Sequence, residues 1–141
     1  MSDSLRERIY ALCADHAAGR IDALLDAFAD EIDYVCYAPV EVFPYLGRRR
    51  GKAEMAASLK AAHAECDYLS YHPIFVVVDK EDGAAIILVR LKQRSSGRVI
   101  HLFAAHFFRF RDGRIVELRE FMDSFDVVQQ VLGREIDLAK P

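Results

Sequence analysis

The alternation of apolar and polar positions changes period along this chain, near residue 71. Before that point the spacing is mostly helical. Leu5, Ile9, Leu12 and Cys13 recur at three- and four-residue intervals, and Ser4-Leu5-Arg6-Glu7 forms a capping box, so a helix is predicted from Ser4 to near Gly19. Ile21, Leu24, Leu25 and Phe28 make the stripe of a second, short helix. EIDYVCYA at 31–38 alternates and predicts a strand with Ile32, Tyr34, Cys36 and Ala38 on one face. VFPYLGRRRGK reads as a loop, punctuated by Pro44, Gly47 and Gly51, and KAEMAASLKAAHAEC as a third helix with Met55, Leu59, Ala62 and Cys66 inward.

From Tyr71 the period is two. Strands are predicted near 71–79, 84–95, 98–111 and 115–123, joined by the hairpin-length links KEDG, SSG and RDGR into an antiparallel meander. Asp123 or Ser124 caps a last helix carrying Val127, Val128, Val131 and Leu132 before Gly133. This order predicts an α+β fold: one domain over residues 1–141, with helices on one side of a curved antiparallel sheet.

The last hairpin fixes the register. A two-residue Asp112-Gly113 loop would set Phe108 opposite Glu117 and Arg109 opposite Val116, mixing apolar with charged. A three-residue loop ending in a bulge instead sets Phe110 against Val116, Phe108 against Leu118 and Arg109 against Glu117. Because a one-residue slip turns every side chain over, the second register is adopted, and it places His106 opposite Glu120. A Ser96-Gly97 loop on the other side would make His106 the neighbour of Ile87 and Ala104 that of Val89. Two ionisable groups thus stand on a face lined by Ile87, Val89, Phe108, Leu118 and Met122, the face the helices cover. Such groups are costly there unless they bond to each other or to something else.

Composition narrows the partners. The chain is 52% hydrophobic and 29% charged with a formal net charge of -3, which argues against a nucleic-acid binder. Its apolar runs, AAIILV at 84–89 among the longest, are too short to span a bilayer. MSDSLRER carries no apolar signal segment, and Cys13, Cys36 and Cys66 form no CxxC pair, so a cytoplasmic protein with reduced thiols is expected. His101 and His106 are an odd number apart on one strand and face opposite ways; with no HExxH or CxxC, no metal site is expected. No GxSxG or Gly-rich phosphate loop is present, GRRRGK reads as a solvated loop, and no cofactor is expected.

FADEIDYVCYAP, FPYLGRRRGK and AAHFFRFRDGRIVELREFMD, in that order and spacing, resemble the NTF2-like superfamily in its SnoaL-like branch, over about residues 5–133. The resemblance implies a cone-shaped sheet around an apolar pocket, of the cystatin-like roll type and usually dimeric. Polyketide cyclases, ketosteroid isomerases, limonene-epoxide hydrolases and non-catalytic binding proteins share that scaffold. It sets His106 where isomerases and epoxide hydrolases carry an acid and SnoaL-type cyclases a His, and Glu120 where cyclases and epoxide hydrolases place an Asp. Cys36 falls where isomerases have their Asp base and epoxide hydrolases an Asn, while Tyr34 matches a pocket Tyr of the epoxide hydrolases. Ala11 stands where isomerases have an oxyanion-donating Tyr, and Ala104 where epoxide hydrolases have an Arg. Steroid isomerisation and epoxide hydrolysis are both disfavoured.

The resulting expectation is general acid–base chemistry, by Glu120 and His106, on a small apolar carbonyl-bearing metabolite. Tyr34, Cys36, Phe108, Leu118 and Met122 are expected to line the pocket, with Phe43 and Tyr45 in a loop able to close its mouth. The alternatives are a binding or interaction domain without chemistry, in which the pair is structural and Cys36 a small buried hydrophobe, and water activation of the epoxide-hydrolase kind. The opposite sheet face carries Ile86, Leu88, Phe103, Ala105, Phe107 and Phe121 amid Arg90, Arg109 and Glu117, and predicts a homodimer through that face.

Overall fold

The computed structural model describes residues 4–139; the first three residues of the opening segment and the last two of the chain lie outside the described residues. Helix α1 spans Leu5–Ala18, and Ser4 caps it by accepting from the Glu7 N–H while the Glu7 carboxylate accepts from the Ser4 N–H. It stops at Gly19, whose φ of 69° places it in the left-handed region where glycine costs least. Helix α2 (Ile21–Ala27) follows, and strand β1 (Phe28–Tyr37) begins three residues before the alternation predicts. Phe28 closes the α2 stripe and already belongs to the strand.

The predicted loop contains a three-residue strand, β2 (Arg48–Arg50), antiparallel to β1. Helix α3 (Gly51–Glu65) leads directly into β3 (Cys66–Asp79), so Cys66 opens a strand instead of ending the helix stripe. β4 (Asp82–Gln93), β5 (Val99–Arg111) and β6 (Arg114–Met122) complete the expected meander. Helix α4 (Ser124–Leu132) is capped by the Asp123 side chain. It lies against β5, where the Gln130 amide bonds both the N–H and the C=O of His101, satisfying backbone groups beyond the last β6 pair, Ala104 with Met122.

The sheet order is β2-β1-β6-β5-β4-β3. It is mixed and not wholly antiparallel as expected, because β1 runs parallel to β6, pairing Tyr34 with Leu118 and Cys36 with Glu120. The chain between them, β2, α3 and the three strands β3 to β5, supplies the crossover that a parallel pair requires. Irregularities between Tyr68 and Ser70, and between Pro73 and Phe75, interrupt the β3–β4 ladder, and such bulges bend a strand. Pro73, which has no N–H to donate, sits on this edge strand.

Two predicted turns differ in detail. The last hairpin uses a two-residue turn, with Asp112 and Gly113 at φ of 51° and 77°, so Phe110 pairs with Ile115 and not with Val116. Asp-Gly with both φ values positive matches the twist of the flanking strands and is the favoured two-residue turn. The bulge lies beyond it, between Arg109 and Phe110 on the ladder, and from there the expected register holds: Arg109 opposite Glu117, Phe108 opposite Leu118, His106 opposite Glu120. The β4–β5 loop has four residues, not two, because the Gln93 N–H bonds the Arg98 carbonyl at 2.9 Å. His106 therefore sits opposite Ala85 instead of Ile87, and Ala104 opposite Ile87 instead of Val89. The slip is by two, so every side chain keeps its face. Ile87, Val89, Leu102, Ala104, Phe108 and Leu118 are all buried against the helices with Ile9, Leu12, Leu24 and Met55.

Candidate functional site

Glu120, His106 and Tyr34 come from three adjacent strands, β6, β5 and β1, and all point to the concave face. Tyr34 is placed by the parallel β1–β6 pairing, which puts it opposite Leu118, two residues from Glu120. Its hydroxyl donates to Glu120 Oε2 at 3.1 Å. His106 Nδ1 lies 3.6 Å from Glu120 Oε1, with side chains only 2% and 13% exposed respectively. That distance exceeds a good hydrogen bond, and Nδ1 has no other partner. On the far side of the ring, Nε2 is 3.3 Å from the Tyr71 hydroxyl.

Burial governs the electrostatics. It lowers the His106 pKa below the usual imidazole value, while the Glu120 charge pulls in the opposite direction. His106 is therefore neutral near pH 7. Burial first, and then the same carboxylate, raise Tyr34 and Tyr71 well above ordinary phenols, so both hydroxyls keep their protons. Cys36 is buried behind Glu120, and desolvation and that charge push its thiol far up; a thiol so held is a poor nucleophile.

These groups open onto a cavity of about 80 Å³, which at roughly 30 Å³ of liquid volume per water has room for two or three waters. Its wall is mostly apolar, with Leu12, Met55, Leu59, Val89, Leu102 and Leu118 beside the polar cluster. Of the residues singled out from the sequence, Glu120, His106, Tyr34, Leu118, Met122, Phe43 and Tyr45 stand on this wall. Cys36 and Phe108 do not. Phe108 lies further toward the hairpin turn and stacks on Phe110 at 6.0 Å, and Cys36 is buried beside its pairing partner Glu120. Phe43 and Tyr45 are fixed in place, Phe43 buried in the core and the Tyr45 carbonyl accepting from the Ser58 hydroxyl at 2.6 Å.

Four ring-bearing residues at the site escaped the sequence reading: His16, His63, Tyr68 and Tyr71. Three of them line the cavity directly, and His63 backs His16. The signal was present for the two histidines. His16 extends the α1 stripe four positions past Leu12, and His63 extends the α3 stripe four past Leu59. Tyr68 was missed because β3 begins at Cys66 and not at Tyr71, and Tyr71 because it stood at the starting end of the predicted strand. The arginine-rich loop is tied up locally, with Arg48 3.5 Å from Asp33, Lys52 3.7 Å from Asp30, and Arg49 donating to the Pro44 carbonyl. Among the described residues, no group of three or more His, Cys, Asp or Glu side chains is placed to hold a metal ion, and no helix is long and apolar enough to cross a membrane.

Comparison with known proteins bears on the fold and the family. A candidate isomerase from Rhodopseudomonas palustris is 29% identical with a TM-score of 0.84, covering 95% of this chain and 100% of its own. A candidate polyketide cyclase from Pseudomonas putida is 20% identical with a TM-score of 0.80, covering 92% of this chain and 98% of its own. An LEH-like epoxide hydrolase from M. tuberculosis is 16% identical with a TM-score of 0.75, covering 92% and 90%. At those last two identities the likeness establishes the fold alone. No curated protein matches the sequence significantly. The sequence profile of the SnoaL-like domain matches residues 7–118, most of the chain. With its helices cupped in a curved NTF2-like sheet, this chain belongs to the SnoaL-like domain family.

Proposed function

We propose that the protein is a cofactor-independent acid–base enzyme of isomerase or cyclase type, acting on a small apolar metabolite that carries a carbonyl. The observation that carries this reading is the Glu120 carboxylate, the one carboxylate among the described residues of a mostly apolar cavity wall, bonded by Tyr34 at 3.1 Å and faced by His106 at 3.6 Å. In the proposed step Glu120 takes a proton from the carbon next to the carbonyl. The C–H electron pair moves into the new C–C double bond, and the carbonyl oxygen becomes an oxyanion. Tyr34, still protonated, is then free to turn its O–H from the neutralised Glu120 toward that oxygen. Return of the proton from Glu120 to a different carbon completes isomerisation; in ring closure the enolate carbon attacks a second carbonyl, the first carbonyl re-forms, and Glu120 gives its proton to the new alkoxide.

The test is Glu120→Gln, which keeps shape and removes the base. Turnover on the physiological substrate should fall by about 10²-fold or more, with the fold retained. Normal turnover together with a large drop in melting temperature would make the pair structural and end the catalytic claim. The substrate is best sought by native mass spectrometry of protein purified from its own host, looking for a retained small molecule.

One observation favours a binding domain without chemistry: the 3.6 Å gap between His106 and Glu120 is loose for a catalytic pair. A binder should keep its ligand affinity in Glu120→Gln. Water activation by Glu120 is the third reading, distinguished by a hydrated product.

The convex face supports a homodimer. Phe103, Phe107 and Phe121 are 61%, 50% and 44% exposed, more contiguous apolar surface than a water-facing sheet normally carries. Phe107→Glu should then convert a dimer to a monomer in light scattering, and a wild-type monomer at micromolar concentration would refute the assembly. Three buried free thiols fit a reducing, cytoplasmic compartment.

A further inference from the structure

The cavity has a second cluster of polar rings that the proposed base does not use. His16 stands in the last turn of α1, His63 in the last turn of α3, and Tyr68 and Tyr71 on β3. The His16 ring lies flat on Tyr71, with centroids 4.3 Å apart and 12° between the planes. Its Nδ1 is 3.3 Å from His63 Nε2, and Tyr68 leans on both imidazoles, at 5.0 and 4.5 Å. Tyr71 is therefore clamped, and its hydroxyl is held 3.3 Å from His106 Nε2 with the two rings 78° apart.

We propose that Tyr71 is a positioning residue, whose hydroxyl donates to His106 Nε2 and so directs the imidazole Nδ1–H at the Glu120 carboxylate. The proposal rests on the reading of Glu120 as a carboxylate base. A neutral imidazole has one N–H, and the surroundings decide which nitrogen bears it. With the proton on Nδ1, the N–H faces Glu120 Oε1, the Tyr71 O–H satisfies Nε2, and no lone pair opposes another. With the proton on Nε2, the bare Nδ1 lone pair would face a carboxylate oxygen 3.6 Å away at a buried position. The Tyr71 O–H would also need another acceptor. The first arrangement wins on both counts. Since Tyr71 keeps its proton at any working pH, the donor is permanent.

The consequence for Glu120 is geometric. Tyr34 bonds Oε2 at 3.1 Å and the His106 Nδ1–H is directed at Oε1 from 3.6 Å, so the carboxylate is oriented by one hydrogen bond and one longer electrostatic contact. The anchor of that arrangement is a phenol on β3, three strands away from Glu120 in the sheet. In this arrangement His106 transmits the position of Tyr71 and itself neither gives nor takes the substrate proton.

Nitrogen-15 NMR of the histidine rings in the full-length, ligand-free chain near pH 7 tests this without any substrate. In the wild type, His106 should show a protonated, pyrrole-type Nδ1 and a hydrogen-bonded, pyridine-type Nε2. Tyr71→Phe removes one oxygen, and the Nε2 resonance should move to the position of an unbonded pyridine-type nitrogen. A wild-type ring protonated on Nε2, or on both nitrogens, overturns the proposal, and this arm needs no variant to fold. Identical ring shifts in Tyr71→Phe overturn it as well. Failure here leaves the base reading intact. Conversely, full activity in Glu120→Gln alongside the expected tautomer would remove the base and leave Tyr71 its role.

Discussion

The two faces of the sheet are built from the same strands by simple alternation, yet they treat charge in opposite ways. On the convex face Arg109 meets Asp82 at 3.0 Å and Glu117 at 3.6 Å, all three well exposed, while Arg119 bonds both the carboxylate and the carbonyl of Asp33. Water and salt screen such pairs, and each contributes little. On the concave face one carboxylate meets neutral donors only: Tyr34 and a His106 that burial keeps uncharged. The contrast teaches that exposure, more than proximity, decides whether an ionic contact here has consequences. It also predicts which substitutions matter.

The largest contrast should come from two neighbours on β5. Phe108 is buried and Phe107 is half exposed. Phe108→Ala should cost about 3–5 kcal/mol, the range for emptying a buried aromatic site. Phe107→Ala, measured in urea at a concentration too low for assembly, should stay within about 1 kcal/mol. Equal losses would mean that the convex face is covered within the single chain.

Acid should come next. Burial lowers His16 to about 3, with the neighbouring His63 and His106 adding to the effect, and it lowers His106 and His63 as well. A histidine depressed in the folded state binds its proton more readily when unfolded. Stability is therefore full above the unfolded value of about 6.5 and declines as pH falls from there toward about 3, by at most about 1.4 kcal/mol per pH unit for each group. Urea midpoints between pH 7 and 4 should drop, and His16→Phe should flatten the slope. A flat wild-type profile would show that these rings are not neutral and buried.

The α1 cap should be smaller. Ser4→Ala loses the bond from the Glu7 N–H and should cost about 1 kcal/mol in thermal unfolding. Asp82→Asn should be smallest, within about 0.5 kcal/mol and insensitive to what happens on the other face. A larger loss would blur the distinction between the two surfaces.

The same alternation explains what was legible in the sequence. His106 opposite Glu120 followed from asking which register separates Phe108 and Leu118 from Arg109 and Glu117, and the structure has those pairs although the bulge lies elsewhere. The β4–β5 loop was misjudged by two residues, but an even slip conserves faces, so the inner wall was unaffected. Hidden from the sequence were contacts that depend on where whole elements meet. Tyr71 reaches His106 because β3 is long and bent, and His16 reaches Tyr71 because α1 crosses β3. Neither follows from local periodicity. Cys36 and Phe108 show the converse limit: each is on the right face, but facing inward does not guarantee a place on the cavity wall.

The walls of the cavity also make it an optical instrument. The chain has no tryptophan and six tyrosines, and Tyr34, Tyr45, Tyr68 and Tyr71 all line the cavity, leaving Tyr10 and Tyr37 exposed. With no indole to absorb their excitation, the intrinsic ultraviolet emission of the protein is dominated by tyrosines of which most look inward. A compound entering the cavity displaces water from those rings and disturbs the hydroxyl contacts that quench them, so screening needs no label. Emission that changes with a compound in the wild type, and changes differently in Tyr71→Phe, would report occupancy of this end of the cavity.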